Sequence, residues 1–554
     1  MKSILLVSVI DDIEISEWIS HHTAQSHVRK AFNVPLSLGV IAALTPEQYN
    51  VVIWDEAVHG RIGEHTDLGQ RFDLIGITAY SSQLARAKEL AQLFRRQGIP
   101  VVIGGPGVTA EPNFCRGHFD VLFLGEAEET WPKFLAEWEA GTHASQYAPS
   151  HFPDLSLSPK PRWDSIAHLL PTSYKYGAVQ INRGCPYDCE FCDIWSHFGR
   201  TVRSKPVQQV IEEVSELARL GMQAVYFAND NFYGNPKHAR EVVRELATLN
   251  RTLDPSLSFT TELSINISHD DEFLRNLADA GFINFYIGVE SPNIESLKET
   301  RKRHNLHGDL AAQCLKIASY GVPVQAGMIV GFDSDPKDIF ERHFDFIQKA
   351  CIPHLRLSLL LGLPGTGLRE RLTREGRVLD MEKTLAGHSS CVDKLGFSSN
   401  ILFKCMSRSE VYTGLLQFVG KLWDWKNIEA RLCGFIDNVK RQPERKLSPR
   451  LQQTVAKSRE FLPRMPGANA EVIERVLAHA ERVTPLLLRA IARQLALACW
   501  EVAQLESARA AIRKQIEIER TLEEQNGYVM EHGDPDPPLT LATAASSSTS
   551  RRAS

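Results

Sequence analysis

The sequence predicts an α/β protein with two successive parallel sheets and a helical C-terminal region. Short apolar runs alternate with helical stretches in the first quarter of the chain, and the alternation returns with larger units in the middle. Beyond the second sheet, apolar residues recur at helical spacing. The predicted boundaries are 1–140 for the first α/β domain, 141–175 for a proline- and serine-rich linker, 176–380 for the second α/β domain, 381–526 for the helical region and 527–554 for a disordered tail.

Five short apolar runs predict the strands of the first domain: Ile4–Val9, Val51–Trp54, Leu74–Thr78, Val101–Gly104 and Val121–Leu124. Helical stretches such as Leu84–Gln97 lie between them, which indicates an open parallel sheet covered on both faces. Ligands of such sheets bind at the carboxyl ends of the strands. The candidate binding residues at those ends are Thr78, Ser81, Gly104, Gly105, Gly125 and Glu126. The glycines there serve either a close ligand approach or tight turns.

Six further strands predict a partial (β/α)6 barrel: Ala178–Ile181, Ala224–Ala228, Ser258–Thr261, Phe285–Val289, Val324–Val330 and Leu355–Leu361. Residues at the carboxyl ends of barrel strands face the reaction. The polar residues at these ends are Asn229, Asp230, Glu262, Ser264 and Glu290. The alternative is a structural salt bridge or helix cap for each carboxylate. Position and order favour a ligand role for Asp230 and Glu290, and both interpretations stay open for Glu262.

Three cysteines between the first and second barrel strands carry the strongest chemical signal. Cys185, Cys189 and Cys192 follow the spacing C-x3-C-x2-C. A loop with these gaps can place thiolates on three corners of a [4Fe–4S] cluster and leave the fourth iron open for chemistry. A structural zinc site with His197 as fourth ligand is the alternative, although zinc ligands usually come as two separated pairs.

Composition argues against a nucleic-acid-binding, a secreted and a membrane-spanning protein. The 554 residues carry a formal net charge of −5 with mixed signs, so nothing indicates a nucleic-acid surface. Ten cysteines without other clusters, and no secretory leader, predict a reducing cytoplasmic compartment. Arg489 and Arg493 interrupt the apolar run 485–500, so no transmembrane segment is predicted. His304 and His307 are expected to be packing or surface residues.

The segment QINRGCPYDCEFCDIWSHFGR resembles the radical SAM superfamily, whose signature is CxxxCxΦC with an aromatic residue at Φ, here Phe191. The resemblance implies that S-adenosylmethionine chelates the open iron and that its reductive cleavage gives a 5′-deoxyadenosyl radical. It assigns the methionyl amine to the Asn229–Asp230 segment, which replaces the usual Gly-Gly-Glu, and the ribose or carboxylate to Glu290. The stretch 327–331 resembles the adenine-contact strand.

The first domain is similar to the cobalamin-binding domain that precedes many radical SAM barrels. This resemblance rests on residues 34–39, Trp54–Asp55, Gly104–Pro106 and 120–128. The D-x-H-x-x-G element that supplies a histidine to cobalt is missing, as is common in the radical SAM branch. The segments ETRKRHN, LLLGLPGTGLRERLTREGRV and NILFKCMSRSEVYTG resemble a subfamily that includes hopanoid 2-methylase.

These resemblances imply methylation of an unactivated carbon in a small-molecule or lipid substrate. They also imply a [4Fe–4S] cluster, S-adenosylmethionine and cobalamin as cofactors, and a flavodoxin or ferredoxin as reductant. A cyclase of the tetrapyrrole type is the main alternative. A methylthiotransferase would need further N-terminal cysteines, and Cys115 stands alone there. A non-catalytic redox or light sensor would not need the carboxylates that are assigned to S-adenosylmethionine.

Overall fold

The computed structural model describes residues 1–10, 31–384, 397–441 and 456–531. The strands are β1 Lys2–Ser8, β2 Ala31–Asn33, β3 Tyr49–Asp55, β4 Leu74–Thr78, β5 Val101–Gly104, β6 Val121–Phe123, β7 Gln146–Tyr147, β8 Tyr174–Val179, β9 Asn182–Arg183, β10 Arg203–Ser204, β11 Ala224–Phe227, β12 Ser258–Leu263, β13 Phe282–Glu290, β14 Val324–Val330 and β15 His354–Leu359.

The helices up to the end of the barrel are α1 Leu36–Leu44, α2 Glu56–His59, α3 Leu84–Arg96, α4 Pro106–Ala110, α5 Pro112–Cys115, α6 Thr130–Ala140, α7 Leu170–Ser173, α8 Ile194–Phe198, α9 Val207–Arg219, α10 Pro236–Thr252, α11 Asp271–Ala280, α12 Ile294–Glu299, α13 Leu310–Ala318, α14 Ile339–Lys349 and α15 Gly367–Arg374. The helices that follow are α16 Met381–Thr384, α17 Arg408–Leu422, α18 Trp425–Asn438, α19 Ala470–Val483 and α20 Leu488–Gln525.

The first sheet has the strand order β3-β1-β4-β5-β6-β7, and its strands are parallel. Four successive residues of β1, Ile4 to Val7, are at most 1% exposed. A strand buried on both faces requires such a continuous apolar run, because neighbouring side chains point to opposite faces. Each strand predicted for this domain is present.

The second sheet is the curled, partial barrel, with the order β15-β14-β13-β12-β11-β8-β2 and parallel pairing throughout. The predicted barrel strands are present. The edge strand β2 was not predicted and comes from the N-terminal part of the chain, where Ala31 pairs with Tyr174 and Asn33 with Tyr176. The predicted fold class, an α/β domain followed by a partial barrel and helices, is confirmed.

The long helix α20 lies across the open side of the partial barrel. Oε1 of its Glu501 lies 2.7 Å from Nδ1 of His354 on strand β15, and its Arg493 lies 5.7 Å from the ring centre of Tyr176 on strand β8. Helix α17 packs along α20, held by a buried ion pair of 2.8 Å between Arg408 and Glu519. The helical region therefore closes the barrel laterally. In the described parts of the chain, no helix combines the length and apolarity needed to cross a membrane.

The last described residues differ from the predicted start of the disordered tail at residue 527. Tyr528 donates a hydrogen bond of 2.6 Å to Glu519, and the carbonyl oxygen of Val529 accepts one of 2.9 Å from the amide of Asp380. Glu531 is bound by Arg369 at 2.6 Å. These contacts attach residues 528–531 to the barrel, and the predicted tail from 532 to 554 lies outside the described residues.

Candidate active site

The cysteine loop starts directly after the two-residue strand β9. Gly184 has a φ of +92°, and a Cβ atom at this position would lie 2.5 Å from the carbonyl oxygen of Thr201. Only glycine fits there. The amide of Cys185 then donates to the carbonyl of Gly199 at 3.2 Å, and the amide of Cys192 donates to the carbonyl of Cys189 at 3.1 Å. Backbone bonds thus hold the loop that carries the three thiols.

We expect the substitution Gly184→Ala to lower the iron content of the reconstituted protein severalfold, because the added methyl group collides with backbone that shapes the cysteine loop. Gly117→Ala is the matched control. Gly117 also has a positive φ, +77°, but a Cβ atom there meets nothing within 4 Å. Iron analysis after reconstitution checks the prediction, and equal iron content in the two variants would contradict it.

The thiols are sheltered from solvent. Cys189 is 6% exposed, and Cys185 and Cys192 are half-buried. Burial raises the pKa of all three thiols, while the positive charge of Lys302 acts in the opposite direction. Cluster assembly requires thiolates, and positive charge beside the loop favours them.

The geometry does not support the zinc alternative. Among the described residues, no three His, Cys, Asp or Glu side chains converge closely enough to hold one metal ion. His197, the suggested fourth ligand, donates from Nδ1 to the carbonyl of Asp193 at 2.8 Å, and its Nε2 is buried without a partner among the described residues. A cubane instead takes its thiolates at separate corners. The three free thiols on one loop fit the [4Fe–4S] cluster.

Lys302 is the main cation beside the loop. Its Nζ lies 2.8 Å from Oε1 of Glu290 and 5.8 Å from the ring centre of Phe191. Although burial lowers the pKa of Lys302, the charges of Glu290 and the nearby thiols raise it overall. Glu290 ends strand β13 at a bulge and has a φ of +66°. Its carboxylate and the side chain of Lys302 lie over Gly288. A Cβ atom at Gly288 would lie 2.9 Å from Nζ of Lys302.

The residues next to Lys302 fix the same loop. The carbonyl of Thr300 accepts a hydrogen bond of 2.9 Å from the amide of Glu190, between the second and third cysteines. His304 stacks on Tyr187 with ring centres 3.8 Å apart, and burial lowers the pKa of His304 to about 3. Asn305 donates to the carbonyls of β13. His304 is thus a packing residue, one of the two roles expected for it.

The predicted residues after strand β11 hold the start of the cysteine loop. Oδ1 of Asn229 accepts from the amide of Ile181 at 2.8 Å, while its Nδ2 is buried without a partner among the described residues. Oδ2 of Asp230 accepts from the amide of Gly184 at 2.7 Å, and burial raises the pKa of Asp230 to about 6. The second carboxylate oxygen of Asp230 can accept from an ammonium ligand, whereas Nδ2 of Asn229 can only donate to an acceptor atom of a ligand.

A cavity of about 1840 Å³ connects the two sheets. Small-molecule pockets commonly measure about 300–1,000 Å³, so this one has room for more than one large ligand. The predicted residues that line it are Thr78, Gly104, Gly105, Gly125 and Glu126 from the first sheet and Asn229, Asp230 and Glu262 from the barrel. Ser81, Phe191, Ser264, Glu290 and the three cysteines do not line it.

The structure gives some of these residues local roles. A Cβ atom on Gly105 would lie 2.7 Å from the carbonyl oxygen of Ala79, so backbone packing alone requires this glycine. Glu126 is bound by Arg183 and Arg203, the latter with a bond of 2.9 Å from Nη1, and so ties the first domain to the cysteine loop. Oγ of Ser264 accepts from Asn231 at 2.9 Å. Cofactor contacts by these residues remain predictions.

Sequence reasoning missed Lys302 and Arg356 as site residues. Lys302 lies in the segment ETRKRHN, whose resemblance to a subfamily implied no role for the lysine. Arg356 lines the cavity from strand β15, where the alternation Leu-Arg-Leu gave a signal for its position. Cys115 is fully buried, and burial raises the pKa of its thiol to about 12.

Comparison with known families assigns the region of each sheet to a domain family. Residues 28–135 match the B12 binding domain, and residues 179–347 match the radical SAM superfamily. The chain therefore contains a B12-binding domain followed by a domain of the radical SAM superfamily. The cluster, S-adenosylmethionine and cobalamin are the cofactors that these domains imply, and the free thiols, the open polar atoms of Asn229 and Asp230 and the large shared cavity fit them.

Among characterised relatives, the chain is 31% identical to the hopanoid C-2 methylase of Rhodopseudomonas palustris (strain TIE-1), over 63% of this chain and 66% of that protein. It thus spans just under two thirds of that relative. It is 25% identical to the bacteriochlorophyllide d C-12(1)-methyltransferase of Chlorobaculum tepidum, over 76% of this chain and 91% of the relative.

Solved structures show the same fold. The cobalamin-dependent S-adenosylmethionine radical enzyme OxsB, with aqua-cobalamin and S-adenosylmethionine bound, aligns with a TM-score of 0.57 at 13% identity, covering 97% of this chain and 82% of OxsB. The radical S-adenosylmethionine methyltransferase TsrM from Kitasatospora setae, with cobalamin and a [4Fe-4S] cluster bound, aligns with a TM-score of 0.56 at 16% identity, covering 68% of this chain and 75% of TsrM.

Proposed function

We propose that this protein is a cobalamin-dependent radical SAM methyltransferase that methylates an unactivated carbon of a small molecule or lipid. The single observation that carries the proposal is the cavity shared by the strand ends of the B12-binding domain and the barrel. A methyl carrier and a radical source must reach the same substrate atom, and this cavity borders both sheets as well as Asp193 and Ile194, which directly follow Cys192. The names of the relatives, a methylase and a methyltransferase, support the same reaction class.

When bound, the cluster with S-adenosylmethionine supplies a carbon-centred radical, and cobalamin supplies a methyl group. The protein positions these groups. In the proposal, Cys185, Cys189 and Cys192 hold the cluster as thiolates, and Asp230 accepts from the methionyl ammonium group. Helix α20 closes the open side of the barrel and limits water in the cavity.

The proposal includes a reductant and a compartment. A [4Fe–4S] cluster of this kind requires one electron for each radical formed, and a flavodoxin or ferredoxin is the proposed donor. The unpaired state of every cysteine in the described residues is consistent with the proposed cytoplasmic location, where thiols stay reduced.

The function can be tested before the substrate is known. The protein is reconstituted anaerobically with iron, sulfide and hydroxocobalamin, reduced, and incubated with S-adenosylmethionine and a cell extract from which proteins have been removed, so that only its small molecules and lipids remain. We expect about four irons and one cobalt per chain, and both 5′-deoxyadenosine and S-adenosylhomocysteine as products. Methyl transfer predicts both products, since one molecule of S-adenosylmethionine is cleaved and another donates its methyl group.

Two outcomes would contradict the proposal. Formation of 5′-deoxyadenosine without S-adenosylhomocysteine would indicate radical chemistry without methyl transfer, as in a cyclase. Iron without cobalt would leave the B12-binding domain without its cofactor. A sample reconstituted without cobalamin is the control, and it should form 5′-deoxyadenosine but no S-adenosylhomocysteine.

A further inference from the structure

Among the described residues, two cations line the cavity without an ion pair, Arg356 and Lys514, and Arg356 is the one on a barrel strand. Arg356 lies on the barrel strand β15, where it alternates with the buried Leu355 and Leu357, and its side chain is exposed in the cavity wall. Its guanidinium group makes no hydrogen bond and no ion pair within 4 Å to any residue of the described chain. A guanidinium group carries its charge at every physiological pH.

Polar side chains on the barrel strands β11 to β14 form hydrogen bonds with each other. The hydroxyl of Tyr226 donates to Oε1 of Glu262 at 2.9 Å, and Nδ2 of Asn284 donates to Gln325 at 3.1 Å. Burial raises the pKa of Glu262, and the charge of Arg356 offsets only part of that rise. Oε1 of Glu262 is thus occupied by the hydroxyl of Tyr226, and the guanidinium group of Arg356 has no hydrogen-bonded acid among the described residues.

Part of the cavity wall near strand β15 is apolar, although Glu501, Gln504, Ser507 and Lys514 of helix α20 also line it. Helices α17 and α20 and the segment before α17 form this apolar part, which we call the helical wall and which consists of Phe397, Phe418, Leu422, Trp423 and Ala511. These residues lie beside the open edge of the barrel, next to strand β15. Binding of an apolar ligand is favoured here, because the ligand removes apolar protein surface from water.

We infer that the substrate is an amphipathic carboxylic acid, with its apolar body against the helical wall and its carboxylate bound by Arg356. This inference rests on the proposed methyl transfer in the same cavity. A carboxylate matches the two-pronged guanidinium group, and a charge-assisted bond in a sheltered cavity is stronger than one at the surface. Arg356 then fixes the orientation of the substrate and hence the carbon that faces the radical.

Direct binding tests the inference without turnover. The holoprotein is placed in equilibrium dialysis with cis-parinaric acid and its methyl ester, and with protoporphyrin IX and its dimethyl ester. We expect the acid of at least one pair to bind about tenfold more tightly than its ester. The pair that shows the preference distinguishes a linear from a planar apolar body. Equal affinities for acid and ester in both pairs, or no binding of any probe, would overturn the inference.

Variants assign the preference to one side chain. Arg356→Leu should abolish the preference for the acid and leave the affinity for the ester unchanged, while Arg356→Lys should retain part of it. Arg513→Leu is the matched control, because Arg513 is an exposed cation on helix α20 that does not line the cavity. A preference that persists in Arg356→Leu, with normal iron and cobalt content, would overturn the assignment. The binding result stays interpretable if methyl transfer fails, so the two proposals can fail separately.

Discussion

The substitution Cys189→Ala is expected to abolish iron–sulfur loading and all cleavage of S-adenosylmethionine. Cys189 is the most buried of the three loop cysteines, and two remaining thiolates cannot hold a cubane with one open iron. The measurement is iron and sulfide per chain after anaerobic reconstitution, together with the yield of 5′-deoxyadenosine. Both should fall to background.

Cys433→Ala is the control for this prediction. Cys433 is a half-buried free thiol on helix α18, outside the cysteine loop. Its loss should leave the iron content and the 5′-deoxyadenosine yield close to those of the unmodified protein. Retained 5′-deoxyadenosine formation in Cys189→Ala would refute the central assignment of the cysteine loop.

The substitution Lys302→Met is expected to have the second largest effect. It leaves the carboxylate of Glu290 without its partner in a buried position and removes the positive charge beside the thiols. Breaking a buried ion pair by removing one partner costs about 3 kcal/mol, so we expect the free energy of unfolding of the cofactor-free protein to fall by about that amount. Urea denaturation measures it.

A second readout separates the effect on the cluster from the effect on stability. With the cation gone, the reduced and more negative state of the cluster is less favoured, so its midpoint potential should become more negative in a potentiometric titration. Lys298→Met is the matched control, because Lys298 forms an ion pair of 2.8 Å with Glu295 in which both side chains are exposed. Exposed pairs contribute about 0.5 kcal/mol. Equal unfolding free energies for the two variants would contradict the role of Lys302.

The sequence predicted the strands well for a physical reason. Strands of a parallel sheet that is buried on both faces must be continuous apolar runs, and Leu74–Thr78 and Val324–Val330 occur in the structure with the predicted bounds. The order of polar residues at strand ends also placed Asp230 and Glu262 in the cavity, because parallel strands end at one edge. These predictions depend only on local pattern and topology.

The remaining features depend on contacts between distant segments. Nothing in the sequence near Lys302 shows that its ammonium group meets Glu290 and lies beside cysteines more than a hundred residues earlier. The apolar periodicity of helix α20 predicted a helix, but not that its Glu501 would meet His354 and close the barrel. Gly105 was open to two interpretations, and only the approach of Ala79 decides that packing requires it.

Strand β2 joins the N-terminal part of the chain to the sheet of the barrel. Three residues from the N-terminal part of the chain complete the edge of a barrel whose first own strand, β8, starts at Tyr174. A fragment that begins at the barrel would leave that edge unpaired, and exposed parallel edges invite association with other chains. We therefore expect a truncated barrel to associate with other chains more readily than the whole protein does. This molecule is best expressed and dissected as one unit.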